Sequence, residues 1–283
     1  MNEARDPQEL TTTSIVIALL TLASLIGIGT AMISVYVKRE RDRELQQWES
    51  RLGLAADSRA TTLADTTRRD LAGLEELAGN ASLQLYLSRL GVARANGDSP
   101  GAQRSYLRNL LLAEAARLGY GGNADARLAA NLVQPAGTGL LLLDRDLAPV
   151  VQTSGAPALT PEILAAAAAA LSGKPTQAST LHRDGEDRLL FVQTVAVPAL
   201  LGTADESAER PIGVLVGVRD AAQRLLAPLT RNSFFREDSE ALLLVARENQ
   251  VVYLSASRDG TEALRRALPL SRERLAAAAA VRE

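Results

Sequence analysis

Cysteine is absent from all 283 residues, which excludes disulfides, thiolate metal sites and cysteine nucleophiles. Histidine occurs once, at position 182, so a histidine-based metal centre or catalytic dyad has a single residue to draw on. No G-x-S-x-G elbow exists to carry an activated serine. Basic surplus is missing as well: with a formal net charge of −2 and a pI near 5.7, the chain offers no basic face to nucleic acid. These absences point away from an enzyme, and no cofactor and no metal are expected.

Two further absences are positional. Charge is missing from Leu10 to Val37, and proline is missing between Pro7 and Pro100. Within the uncharged run, Ile15 to Val37 forms a helix of 23 residues, about 34 Å at ~1.5 Å per residue, enough to cross a hydrocarbon core of roughly 30 Å. The preceding MNEARDPQEL carries one arginine against three acids, unlike the basic start of a cleaved signal peptide. The reading is therefore a retained anchor in membrane lipid.

The flanking charges divide. Lys38, Arg39, Arg41 and Arg43 follow the span, and the positive-inside tendency alone would put the C-terminal side in the cytoplasm. Glu40, Asp42 and Glu44 interleave with them, and long domains translocate largely regardless of flanking charge. The expectation is a cytoplasmic tail over 1–14, a span over 15–37 and an extracytoplasmic body in a bacterial inner membrane.

What is present is organised helix. Ala23, Gly27 and Ala31 recur every fourth residue, the spacing that lets two membrane helices approach closely, so a homodimer is expected. Residues 38–118 read as a long helical segment. Leu52, Leu63, Leu74 and Leu85 fall 11 apart on one nearly straight stripe, with Ala56, Ala60, Thr67, Leu71 and Ala78 filling it. That stripe packs on its own domain, or also pairs with a second subunit. Gly79 and Asn80 break the helix, and a short one follows to Gly91. Ser99 and Pro100 cap a third, through Leu107, Leu111 and Ala115 to a stop at Gly119.

A module then occupies 119–230. LLLLD (140–144) and PVVQT (149–153) are strands about an acidic turn. Thr160, Pro161 and Glu162 cap an alanine-rich helix ended by Gly173. QASTLH and RLLFVQTVAVPAL are strands joined across Asp184 and Gly185, and PIGVLVGV is a fifth. The class is α+β, an antiparallel sheet with helices on one side. Residues 231–283 start a second copy: LLLVARENQVVYLSAS (242–257) parallels LLLLDRDLAPVVQTSG (140–155), and LSRERLAAAAAV (270–281) parallels LTPEILAAAAAA (159–170). Alanine-rich coincidence is the alternative. A repeat would leave the second copy short of three strands, so a longer protein is expected.

A span, a long helix, a helix bearing Tyr106 and Leu107, then LLLLDRD, VVQTSG and RPIGVLVGVRD together resemble the double-Cache, PAS-like extracytoplasmic sensor region of bacterial receptors. Those regions occur in sensor histidine kinases, diguanylate cyclases, chemoreceptors and other two-component signal transduction. The resemblance covers 15–283 and implies a membrane-distal, ligand-holding first module and a second module leading to a further span and an output domain. The family's amine-binding signature has no counterpart, since the one tryptophan is Trp48 beside the membrane, and no ligand residue is carried over.

Residue by residue, His182 at a hairpin mouth reads as a surface or strand-end residue. Asp144, Asp146 and Asp184 read as turn residues rather than a metal cluster. A small-molecule ligand between sheet and helix would meet Arg188, Gln193 and Thr194 on the fourth strand, Arg183 in its turn and Arg219 on the fifth. Of Gln193 and Thr194, which alternate, at most one faces it. Arginine there favours a carboxylate or phosphate; the competing reading is that all five are solvent-facing. Ligand sensing coupled to a membrane dimer is the expected function, and an anchored pilus or secretion-platform component is the alternative.

Overall fold

A computed structural model describes residues 7–95, 101–120, 137–173, 179–200, 210–230, 240–271, 277 and 280. The Ser99–Pro100 cap and most of the 270–281 helix lie outside these residues. The chain divides into two compact units, Met1–Ser58 and Arg59–Glu283.

Helix α1 (Pro7–Ala78) is unbroken over 72 residues, as the missing proline allows. From Leu19 it presents a stretch long and apolar enough to cross a membrane, with none of that window buried. Within it the Thr30 hydroxyl donates to the Ile26 carbonyl (2.5 Å), so the helix satisfies this polar group internally. The leucine stripe changes character along the helix. Leu52 is 47% exposed, Leu63 half-buried and Leu74 completely buried.

Gly79 and Asn80 end α1. The Asn80 carboxamide oxygen accepts from the amides of Ser82 (2.9 Å) and Leu83 (3.2 Å) and so starts α2 (Ala81–Ala95). Helix α2 runs past Gly91, where the sequence placed its end, because Gly91 is exposed and a solvated glycine weakens a helix by only about 1 kcal/mol. Helix α3 (Gly101–Leu118) stops as expected. Gly119 sits at φ +74°, with the Tyr120 amide on the Ala115 carbonyl (2.7 Å) and the Gly119 amide on Ala116 (3.4 Å), a Schellman closure.

The sheet comprises β1 (Gly139–Asp144), β2 (Pro149–Gln152), β3 (Thr180–Arg183), β4 (Leu189–Val197) and β5 (Gly213–Asp220), all antiparallel, in the order β2-β1-β5-β4-β3. Helix α4 (Pro161–Leu171) crosses over from β2 to β3. Its N-cap is Thr160, whose hydroxyl accepts from the Ile163 amide (3.3 Å), and its end is Gly173 at φ +71°.

The expectation of helices on one side is corrected: both faces are covered. On one face Leu140, Leu142, Val195, Val197 and Leu215 pack with Leu74 and Leu77 of α1, Leu83 and Leu87 of α2, and Leu107 and Leu111 of α3. On the other, Leu141, Leu143, Val192, Val214 and Val216 pack under Ile163, Ala167 and Ala170 of α4. Unbroken apolar runs such as LLLL in β1 and VLV in β5 demand this, because alternate residues point to opposite faces and each face needs cover.

Beyond β5, Ala222–Leu226 makes a wide π-type turn that runs into the short α5 (Ala227–Thr230). A second antiparallel sheet follows, β6 (Leu244–Arg247), β7 (Gln250–Tyr253) and β8 (Ala267–Pro269), in the order β6-β7-β8. Its first hairpin falls on the sequence that parallels β1 and β2.

Candidate functional site

The five residues singled out from sequence fall into three places. Two lie at the β3–β4 turn. Arg188 is held by Asp184, Nε to Oδ2 at 2.8 Å and Nη2 to the same oxygen at 2.7 Å, with Glu186 at 3.0 Å. Asp184 also accepts from the amides of Glu186 (3.0 Å) and Arg188 (2.9 Å). Burial raises the Asp184 carboxyl, but these donors outweigh it and leave it below the usual carboxylate range. Arg183 reaches the connection between β7 and β8 of the second sheet. Its Nε and Nη2 donate to the Ala263 carbonyl (3.1 and 2.9 Å), and Nη1 pairs with the Asp187 carboxylate (2.7 Å).

Thr194 faces α4. It is completely buried, and its hydroxyl donates to the Ala166 carbonyl (3.3 Å). His182 and Thr180 share this side, because β3 residues 180 and 182 pair with Val192 and Leu190. The surface reading of His182 is corrected: it is 8% exposed, and both ring nitrogens and the Thr180 hydroxyl are buried without a partner among the described residues. Burial holds the imidazole below its ordinary value, against the upward pull of Glu162 and Asp184.

Gln193 and Arg219 come together on the opposite side, against α1. Gln193 pairs with Gly217 across β4 and β5 and donates from Nε2 to the Thr67 carbonyl of α1 (3.1 Å). Two positions along β5, the Arg219 guanidinium lies 3.8 Å from the centre of the Tyr120 ring. Its Nη2 donates to the Leu118 carbonyl (2.7 Å) and its Nη1 to Gly119 (2.9 Å), a cation at the C-terminal end of α3 where the helix dipole favours one. Nη2 also reaches Asp70 of α1 (3.4 Å), which Arg224 grips with Nε (2.9 Å) and Nη2 (2.5 Å).

Sequence reasoning missed Asp70, Tyr120 and Arg224. One carboxylate, its side chain 5% exposed, thus serves two guanidiniums, one of them 8% exposed. The hydrogen bond to Asp70 holds Arg224 above its usual value. Burial pushes the Tyr120 phenol up, opposed by Arg219. Tyr120 lies directly on Gly217, where any side chain would meet its hydroxyl. The cluster is therefore closely packed, and what it does chemically is fix three elements, α1, α3 and β5, to one another. Searches of protein-family models, curated proteins and solved structures find no match to this chain.

Proposed function

We propose that the chain is the sensing region of a bacterial membrane receptor, of the double-Cache type, working as a homodimer with its body outside the cytoplasm. The observation that carries this reading is α1: one unbroken helix supplies the apolar stretch from Leu19 and, farther on, Asp70 and Leu74 at the sheet. A ligand that repacks the sheet would act on Asp70 through Arg219 and Arg224, so a change in the module is felt by the element that enters the membrane. Gln193 and Arg219 serve as couplers in this scheme. The order of two strands, α4 and three strands, all antiparallel, supports a PAS-like first module, and the β6–β7 hairpin supports a repeated one.

The anchored-scaffold reading has one observation in its favour: Arg183, Arg188, Thr194 and Arg219 all bond within the protein. Alkaline phosphatase and fluorescent-protein fusions after residue 235 test placement. Phosphatase activity supports the sensor, and cytoplasmic fluorescence alone overturns an extracytoplasmic body. A thermal-shift screen of the full chain in detergent against small metabolites separates the two functions. A ligand at a hundred times its Kd adds about 2.7 kcal/mol, roughly 5 to 10 °C for a body of this size, and a scaffold gives no such shift.

A further inference from the structure

Strand β3 is an edge strand among the described residues, paired to β4 over four residues. Its two faces carry different loads. Leu181 and Arg183 point toward the second sheet, where Leu181 packs with Phe191, Leu225 and Ala263, and Arg183 holds the Ala263 carbonyl. Thr180 and His182 point the other way, covered and without a hydrogen-bond partner among the described residues. The connection between β7 and β8 that Arg183 grips is tied down: Leu264 sits at φ +62°, with its amide on the Tyr253 carbonyl (2.7 Å), and Glu262 pairs with both Arg183 (3.3 Å) and Arg265 (3.4 Å).

We propose that His182 is a proton-operated switch, in which protonation of its covered imidazole loosens β3 and releases the Arg183 grip that holds the second sheet to the first. The charged groups around it explain why motion is needed. From α4 there is Glu162, and from the β3–β4 turn Asp184, already engaged by Arg188. Leu190 and Val192 of β4 and Ile163 of α4 offer no charge, and neither acid bonds the ring as it stands. An imidazolium formed in place would be a buried, unpaired charge, and the least costly relief is for the short edge strand to shift toward Glu162 or water. Because neighbouring residues of a strand point to opposite faces, a shift that frees His182 also drags Arg183 off Ala263. Burial keeps the ring neutral at pH 7, so the switch acts as the medium acidifies below the ordinary histidine value of 6.5.

That the stimulus is external pH rests on the extracytoplasmic reading; the coupling itself does not. The test uses the full chain in detergent, with nitrogen-15 in the histidine ring and the arginine side chains. The single histidine gives one imidazole to follow, and loss of one Nε–H signal in Arg183→Lys identifies Arg183. The expected result is a ring titrating below 6.5 and an Arg183 signal that moves with the same midpoint in the native chain and stays still in His182→Gln and His182→Asn. An Arg183 signal that stays fixed while the ring titrates overturns the proposal, and so does a ring that remains neutral down to pH 4. Neither result depends on the side of the membrane, so a cytoplasmic body found by fusion would remove the external stimulus and leave the coupling to stand on its own data.

Discussion

Asp70 is worth more than a surface acid because of what its loss strands. Asp70→Ala leaves Arg219 buried beneath α1 without its carboxylate, and removing one partner of a buried ion pair costs about 3 to 5 kcal/mol. Arg224→Ala removes a partner whose side chain is 39% exposed, so the loss is roughly 1 kcal/mol. Urea unfolding of both variants checks the order, and equal losses would show that Arg219 does not depend on Asp70. His182 sets a pH dependence at the same scale. Its folded value lies below its free value, so the unfolded chain binds the proton first, and stability present above pH 6.5 is lost as pH falls through the folded value. In His182→Gln this part of the slope disappears, which melting between pH 7 and 5 reads directly. Arg219 was legible from sequence as a cation at a strand end. Asp70 was not, because the contact joins positions 149 apart.

Elements were more legible where local chemistry closes on itself. Asp144 and Asp184 build the same turn: each carboxylate accepts from the amides two and four residues on, and the residue two before the next strand is left-handed, Leu147 at φ 62° and Asp187 at φ 62°. The aspartates announced these turns. The left-handed residue in the second turned out to be Asp187, although Gly185 stood two positions earlier to suggest otherwise. Thr160 was likewise readable, and Thr160→Ala should cost about 1 kcal/mol by freeing the Ile163 amide, seen as a lower unfolding midpoint with unchanged dependence on denaturant. The connection between β7 and β8 was not readable. Between the paralleled stretches lie residues 156–158 in one case and 258–269 in the other, and the longer segment holds Glu262, Ala263 and Leu264, the residues that meet Arg183 and Phe191. Composition marks such a stretch as a connector; only the arrangement of β3 and β4 reveals what it touches.

At the scale of the whole molecule, α1 carries an exposed apolar stretch and a stretch buried against the sheet, and the chain can be cut between them. The sheet face that carries Leu140, Leu142, Val195 and Leu215 is closed by Leu71, Leu74, Leu77 and Ala78, all C-terminal to residue 59, and Leu63 joins the cluster around Phe191. Leu19 to Val37, by contrast, is exposed apart from a half-buried Gly29. Length and missing charge made the candidate span plain in the sequence, but the 11-residue stripe gave no sign of where exposure ends and burial begins. That depends on where the strands lie, which periodicity does not encode. A chain beginning at Arg59 therefore keeps every α1 side chain that the cores use, and it should be soluble without detergent and unfold cooperatively. A chain beginning at Asn80 lacks Asp70, Leu74 and Leu77, leaving Arg219 without a carboxylate and one sheet face covered by α2 and α3 alone. It should bind a hydrophobic dye and aggregate on expression. If the Asn80 chain instead folds as well as the Arg59 chain, α1 contributes nothing to the body, and the coupling proposed through Asp70 has no mechanical basis.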